Sequence, residues 1–178
     1  MKLSSIKTNE RELVSKITEW LNNQISSGNF LFAEATNEPG IKGDSTTYFA
    51  DIVVWRNRIS EEAFSYIELK PPFSSKENLE RFKKKATQLH VQFAFTWDFQ
   101  ILRCYAIKDN RLEILKAEPT PLLNTIDEWL RGDKQVEIKK VISVICDDLV
   151  SLSTTGKPSA FVPDKVYFVE LIRNTTEK

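Results

Sequence analysis

Apolar side chains along the chain recur with two different periods, and the alternation between them predicts the elements. Over residues 8–25, Leu13, Val14, Ile17, Trp20, Leu21 and Ile25 return at spacings of three and four. That is the period of an amphipathic helix, with Thr8 or Asn9 as its N-cap. Gly28-Asn29 stops it, and Phe30-Leu31-Phe32-Ala33 offers a first strand. Residues 34–47, with Pro39, Gly40 and Gly43, read as a loop or hairpin tip. Tyr48 to Trp55 is apolar on both faces and predicts a central strand. A polar turn over 56–62 precedes a second strand, Ala63 to Leu69, which Pro71-Pro72 ends.

Ser74-x-x-Glu77 is a capping box and opens a helix running to about residue 90, with Leu79, Phe82, Ala86 and Leu89 as its apolar stripe. Strands follow at Val91–Thr96 and Phe99–Ile107, with a short one at 111–115. Thr120-Pro121 opens a helix that closes at Gly132, and a last long helix spans roughly 134–151. Residues 151–163 read as a linker, after which Asp164 to Arg173 starts one more apolar helix. This order predicts an α/β domain over 1–150, a mixed central β-sheet flanked by helices, followed at 151–178 by the lead into a further domain.

Composition narrows the function classes. The 178 residues suit one domain with a proper core. Twenty-five basic and 25 acidic residues balance, so no overall positive charge draws the chain to nucleic acid, although local patches still can. Two cysteines and one histidine, His90, exclude a Cys/His zinc site, and both thiols, Cys104 and Cys146, sit among apolar neighbours as core residues. No phosphate-binding glycine loop or dinucleotide fingerprint is present. Neither a signal-peptide pattern nor a run of about 18 apolar residues occurs, which makes the cytoplasm the expected location and a membrane partner unexpected.

Candidate chemistry comes from the two predicted strands. Asp51 lies inside Phe49-Ala50-Asp51-Ile52-Val53, and Glu68-Leu69-Lys70 ends the next strand. Alternation puts Glu68 and Lys70 on one side, and strand pairing would bring Asp51 to join them. Glu-x-Lys by itself is a common chance pattern at a solvated strand end. An aspartate within an apolar run is costly without a partner. Two carboxylates in a core repel each other, and a divalent cation such as Mg²⁺ relieves that repulsion. Lys70 beside them would orient the attacking water and steady a phosphate. Glu10, on the core-facing side of the first helix, is a third acid with two open readings, an N-terminal charge favoured by the helix dipole or a further metal ligand. Arg81, Lys84, Lys85 and Gln88 form one helical stripe that either grips phosphates or is simply a solvated face.

Asp51 followed by Glu68-x-Lys70, between a helix and a capped helix, resembles the PD-(D/E)XK nuclease superfamily, with alanine in place of the usual proline before Asp51. The closer resemblance is to N-terminal nuclease domains of restriction-modification proteins that carry an adenine-methylating domain. It rests on Glu-Leu-Lys-Pro-Pro at 68–72, Lys85-Ala86, and Phe93-Ala94-Phe95-Thr96-Trp97-Asp98, and covers residues 10 to about 107. The resemblance implies a restriction-endonuclease-like fold, Asp51 and Glu68 as Mg²⁺ ligands (Mn²⁺ substituting), Lys70 assisting the water, and Lys85 near the site. It further implies double-stranded DNA as substrate and methylase or translocase domains in a longer chain; a homodimer stays open. The alternatives are an inactive nuclease-fold module that binds DNA or a partner, and an interaction protein in which these charges merely pair.

Overall fold

The computed structural model describes residues 3–28, 30–42, 47–72 and 78–159. The capping box at 74–77 and the helix expected from Asp164 lie outside the described residues. Three helices, α1 (Leu3–Ser27), α2 (Leu79–Gln88) and α3 (Gly132–Thr155), flank a sheet. Its strands are β1 (Glu34–Asn37), β4 (Ile52–Asn57), β5 (Glu62–Leu69), β6 (Phe93–Trp97), β7 (Ile101–Lys108) and β8 (Arg111–Pro119), in that spatial order. The pair β5–β6 is parallel and every other pairing is antiparallel, so the sheet is mixed and the fold is α/β, as the pattern predicts. A separate hairpin joins β2 (Gly40–Lys42) to β3 (Thr47–Phe49). Among the described residues, no helix is long and apolar enough to cross a membrane.

Both faces of the sheet are covered, unequally. Ile52, Val54, Ile67, Leu69, Phe95 and Trp97 point into the larger core, filled from α1 by Leu13, Ile17 and Leu21 and from α3 by Ile142, Ile145 and Leu149. Val53, Trp55, Tyr66, Ala94 and Tyr105 point the other way, into a smaller core closed by Phe82 and Ala86 of α2. Strict alternation along β4 explains its unbroken apolar run: each neighbour serves a different core. Trp55 and Trp97 are packing residues whose indole N–H groups donate to Thr36 and Thr120 (2.8 and 2.9 Å). Cys104 and Cys146 are buried free thiols of the larger core.

Several boundaries differ from the periodic reading. Helix α1 begins at Leu3 and runs through Thr8 and Asn9, whose preference for caps is too weak to interrupt it. Residues 30–33 are not a strand; β1 starts at Glu34, where Ala35 exchanges two hydrogen bonds with the Asn22 side chain of α1. The expected strand Tyr48–Trp55 is two strands, broken at Ala50–Asp51, where the backbone bonds instead to Pro39 and Glu38. Helix is absent after Pro121: Thr120 and Leu122 donate to Gln100 and Phe99, which keeps that segment extended, and only a 3-10 turn at Ile126–Leu130 follows. Strand β8 is nine residues long, and α3 continues to Thr155, closed by Gly156 in the left-handed conformation. The segment read as a linker therefore starts inside a helix.

Candidate active site

The break at Ala50–Asp51 and the end of β5 meet at one corner of the sheet. The rung before it pairs Ile52 with Ile67, both in the larger core, so the next rung turns Asp51 and Glu68 toward the α2 face. Asp51 Oδ2 accepts the Leu69 backbone N–H at 2.8 Å, fixing its carboxylate across the end of β5. Its own carbonyl accepts from Glu38 at 3.0 Å. The residue is thus held by backbone on both sides, a local reason why the strand is interrupted there.

Glu68 is buried and receives an ammonium on each oxygen. Lys70, from the same strand, donates to Oε1 at 2.5 Å, and Lys85, reaching down from α2, donates to Oε2 at 2.8 Å. Lys85 is itself 4% exposed and also donates to the Tyr66 hydroxyl at 3.1 Å. Tyr66 and Glu68 are two residues apart on one face of β5, so α2 needs only one inward lysine to reach both. Lys85 follows Phe82 by three positions, and Phe82 is the main anchor of α2, which is why the lysine points inward. It belongs to this buried group and not to the exposed stripe, where Arg81 and Lys84 remain.

Burial pushes the Asp51 carboxyl up to about 7, and the Glu68 charge adds to that push, against the pull of Lys85, the Leu69 N–H and Lys70. With two carboxylates and two ammonium groups the cluster is formally neutral, but both cations sit on Glu68. The Asp51 end is short of positive charge. Its donor set, hard carboxylate oxygens in a partly buried corner, fits a divalent cation of the Mg²⁺ type.

Glu10 does not share this corner in any described contact. It is half-buried on α1, one turn before Leu13 and Val14, which pack in the larger core on the other side of the sheet. Since α1 starts seven residues earlier, Glu10 lies inside the helix and not at its charged first turn. Among the described residues, no three His, Cys, Asp or Glu side chains gather as a metal site; the acids of this corner are Asp51 and Glu68.

The same rung continues across the sheet beyond Glu68. Thr96 of β6 is its neighbour, and Arg103 of β7 is the neighbour of Thr96. Asp98, in the turn after β6, accepts the Gln100 and Ile101 N–H groups on Oδ1 and faces Arg103 at 3.5 Å with Oδ2. Tyr66, Thr96 and Arg103 escape a reading of the sequence alone. Alternation along β5 points to Tyr66, but Thr96 and Arg103 emerge only once β6 and β7 are placed in register.

No family model matches the chain, and no curated protein matches it.

Proposed function

We propose that this chain is a metal-dependent endonuclease domain of the PD-(D/E)XK type, hydrolysing phosphodiester bonds of double-stranded DNA in the cytoplasm, in restriction of foreign DNA. The observation that carries the reading is the meeting of Asp51 and Glu68 on one face, with Lys70 and Lys85 on Glu68 and the Asp51 carboxyl raised to about 7 by burial and by the Glu68 charge. Asp51 and Glu68 would hold Mg²⁺ or Mn²⁺, which supplies Lewis-acid activation of water and neutralises charge at phosphorus.

The side chains divide the remaining work. Lys70, a third exposed and at the mouth of the corner, orients the attacking water and stabilises the added negative charge on the phosphate. Lys85, buried beneath, holds the Glu68 carboxylate in position. Leu69 N–H holds the Asp51 carboxylate in place. Arg81 and Lys84, exposed on α2, give the DNA backbone sequence-independent contacts. Incubation with plasmid and Mg²⁺ or Mn²⁺ tests this: the parent nicks or linearises it, and Lys70→Ala loses on the order of 10²-fold or more in rate. Equal cutting by Lys70→Ala would overturn the mechanism.

A second reading has its own support. Because both oxygens of Glu68 already carry an ammonium partner, the cluster is charge-balanced as it stands, which suits an inactive nuclease-fold module that binds DNA or a partner domain. Calorimetry with Mn²⁺ separates the two: heat of binding lost in Asp51→Asn favours the enzyme, and no binding by the parent favours the module.

A further inference from the structure

Thr96 presents a chemical anomaly beside the acid pair. It is 2% exposed, and its hydroxyl has no hydrogen-bond partner among the described residues. A buried hydroxyl without a partner costs stability, and valine would fill the same space without that cost. The register puts it between Glu68 and Arg103, on the α2 side of the sheet. Arg103 keeps a quarter of its side chain exposed, and its contact with Asp98, at 3.5 Å, is long for a charged pair. Ala117, next across on β8, is exposed, and it closes nothing over this end of the row among the described residues.

From these placements we infer that Thr96 and Arg103 form an anion subsite that takes a phosphate of the nucleic-acid strand a few nucleotides from the bond cut at Asp51 and Glu68. The inference rests on the nuclease reading and adds a substrate contact to it. Two strand spacings put Arg103 about 10 Å from Glu68, within reach of a neighbouring phosphate on a strand whose charges rise about 3.4 Å per nucleotide. Asp98 orients the guanidinium from behind, leaving its other N–H groups for the ligand. Thr96 contributes a neutral donor at the side of the site, the partner its hydroxyl otherwise lacks.

The test measures binding of the full chain to a short labelled DNA duplex, with chelator present to prevent cutting, across about 50 to 200 mM salt. One lost phosphate contact lowers the slope of log affinity against log salt by about one. Arg103→Gln gives that drop and Arg103→Lys restores the parent slope. Thr96→Val weakens binding at every salt concentration with the slope unchanged, while its melting temperature stays level or rises. A parent that cuts plasmid, together with an Arg103→Gln protein that keeps the parent's slope and affinity, overturns the subsite and leaves the nuclease reading intact. A parent that neither binds duplex nor cuts overturns that reading, and the subsite with it.

Discussion

The Asp51 carboxyl links the site to stability. Its value near 7 in the folded chain stands above the ordinary 3.8, because burial and the Glu68 charge disfavour ionisation. The folded protein therefore holds a proton that the unfolded chain releases, and stability falls as pH rises from about 4 to about 7. Asp51→Asn removes this dependence. In urea unfolding without metal it gains on the order of 4 kcal/mol at pH 8 and little at pH 4. Added Mn²⁺ raises the melting temperature of the parent and leaves that of Asp51→Asn unchanged. A parent whose stability is flat between pH 4 and 7 would contradict the assignment. Asp51, Glu68 and Lys70 stand out in the sequence because a polar residue inside an apolar run is conspicuous and alternation fixes its side. Pattern alone leaves Lys85 in the basic stripe, because four of the five positions 81–85 are basic and only packing through Phe82 separates the inward one. Thr96 and Arg103 are ordinary residues on ordinary strands, and only long-range pairing makes them neighbours of Glu68.

Among the elements, α2 is the one on which the site most depends. It has ten residues, and only Phe82, Lys85 and Ala86 are buried. Asn78 caps it, its side chain accepting from the Arg81 N–H at 3.0 Å. Asn78→Ala costs about 1 kcal/mol in chemical unfolding, by leaving a first-turn N–H without its partner; a change below about 0.3 kcal/mol would mean that the cap is replaced by water. Element type was readable from period wherever one face is buried against a core, as in α1, β5 and α3. Ends were not, since they depend on competing partners. Asn22 draws the strand to Glu34, Glu38 takes the Asp51 carbonyl, and Phe99 and Gln100 keep residues 120–122 extended against the helix signal of Pro121.

For the molecule as a whole, the two faces of the sheet carry two separate buried charge clusters. Opposite the acid pair, Lys116 of β8 meets both oxygens of Asp148 on α3 at 3.0 Å. Glu118 lies 3.1 Å from the same ammonium. Asp148, fully buried, also accepts from Ser159 through backbone and hydroxyl, so this cluster ties strand, helix and the chain beyond α3 together. Removing one partner strands a charge: Lys116→Met should cost about 3 kcal/mol in urea unfolding. The double variant Lys116→Met with Asp148→Leu should recover much of that loss, because paired charges and apolar replacements are close in energy. Additive losses would show that the two residues act independently. Composition alone conceals this cluster, since Lys116 and Asp148 are 32 positions apart and look like two more surface charges.

The uneven cladding of the sheet has a consequence for how the molecule breathes. Two long helices grip one side through many aliphatic side chains, whereas a single short helix rests on the other through one phenyl ring, one methyl and the lysine that reaches the acids. Peeling back that short helix sets Glu68 loose from Lys85 without disturbing the heavier half. Durability and readiness of the corner are thereby written into opposite sides of one sheet, and substitutions on each side can adjust one while sparing the other.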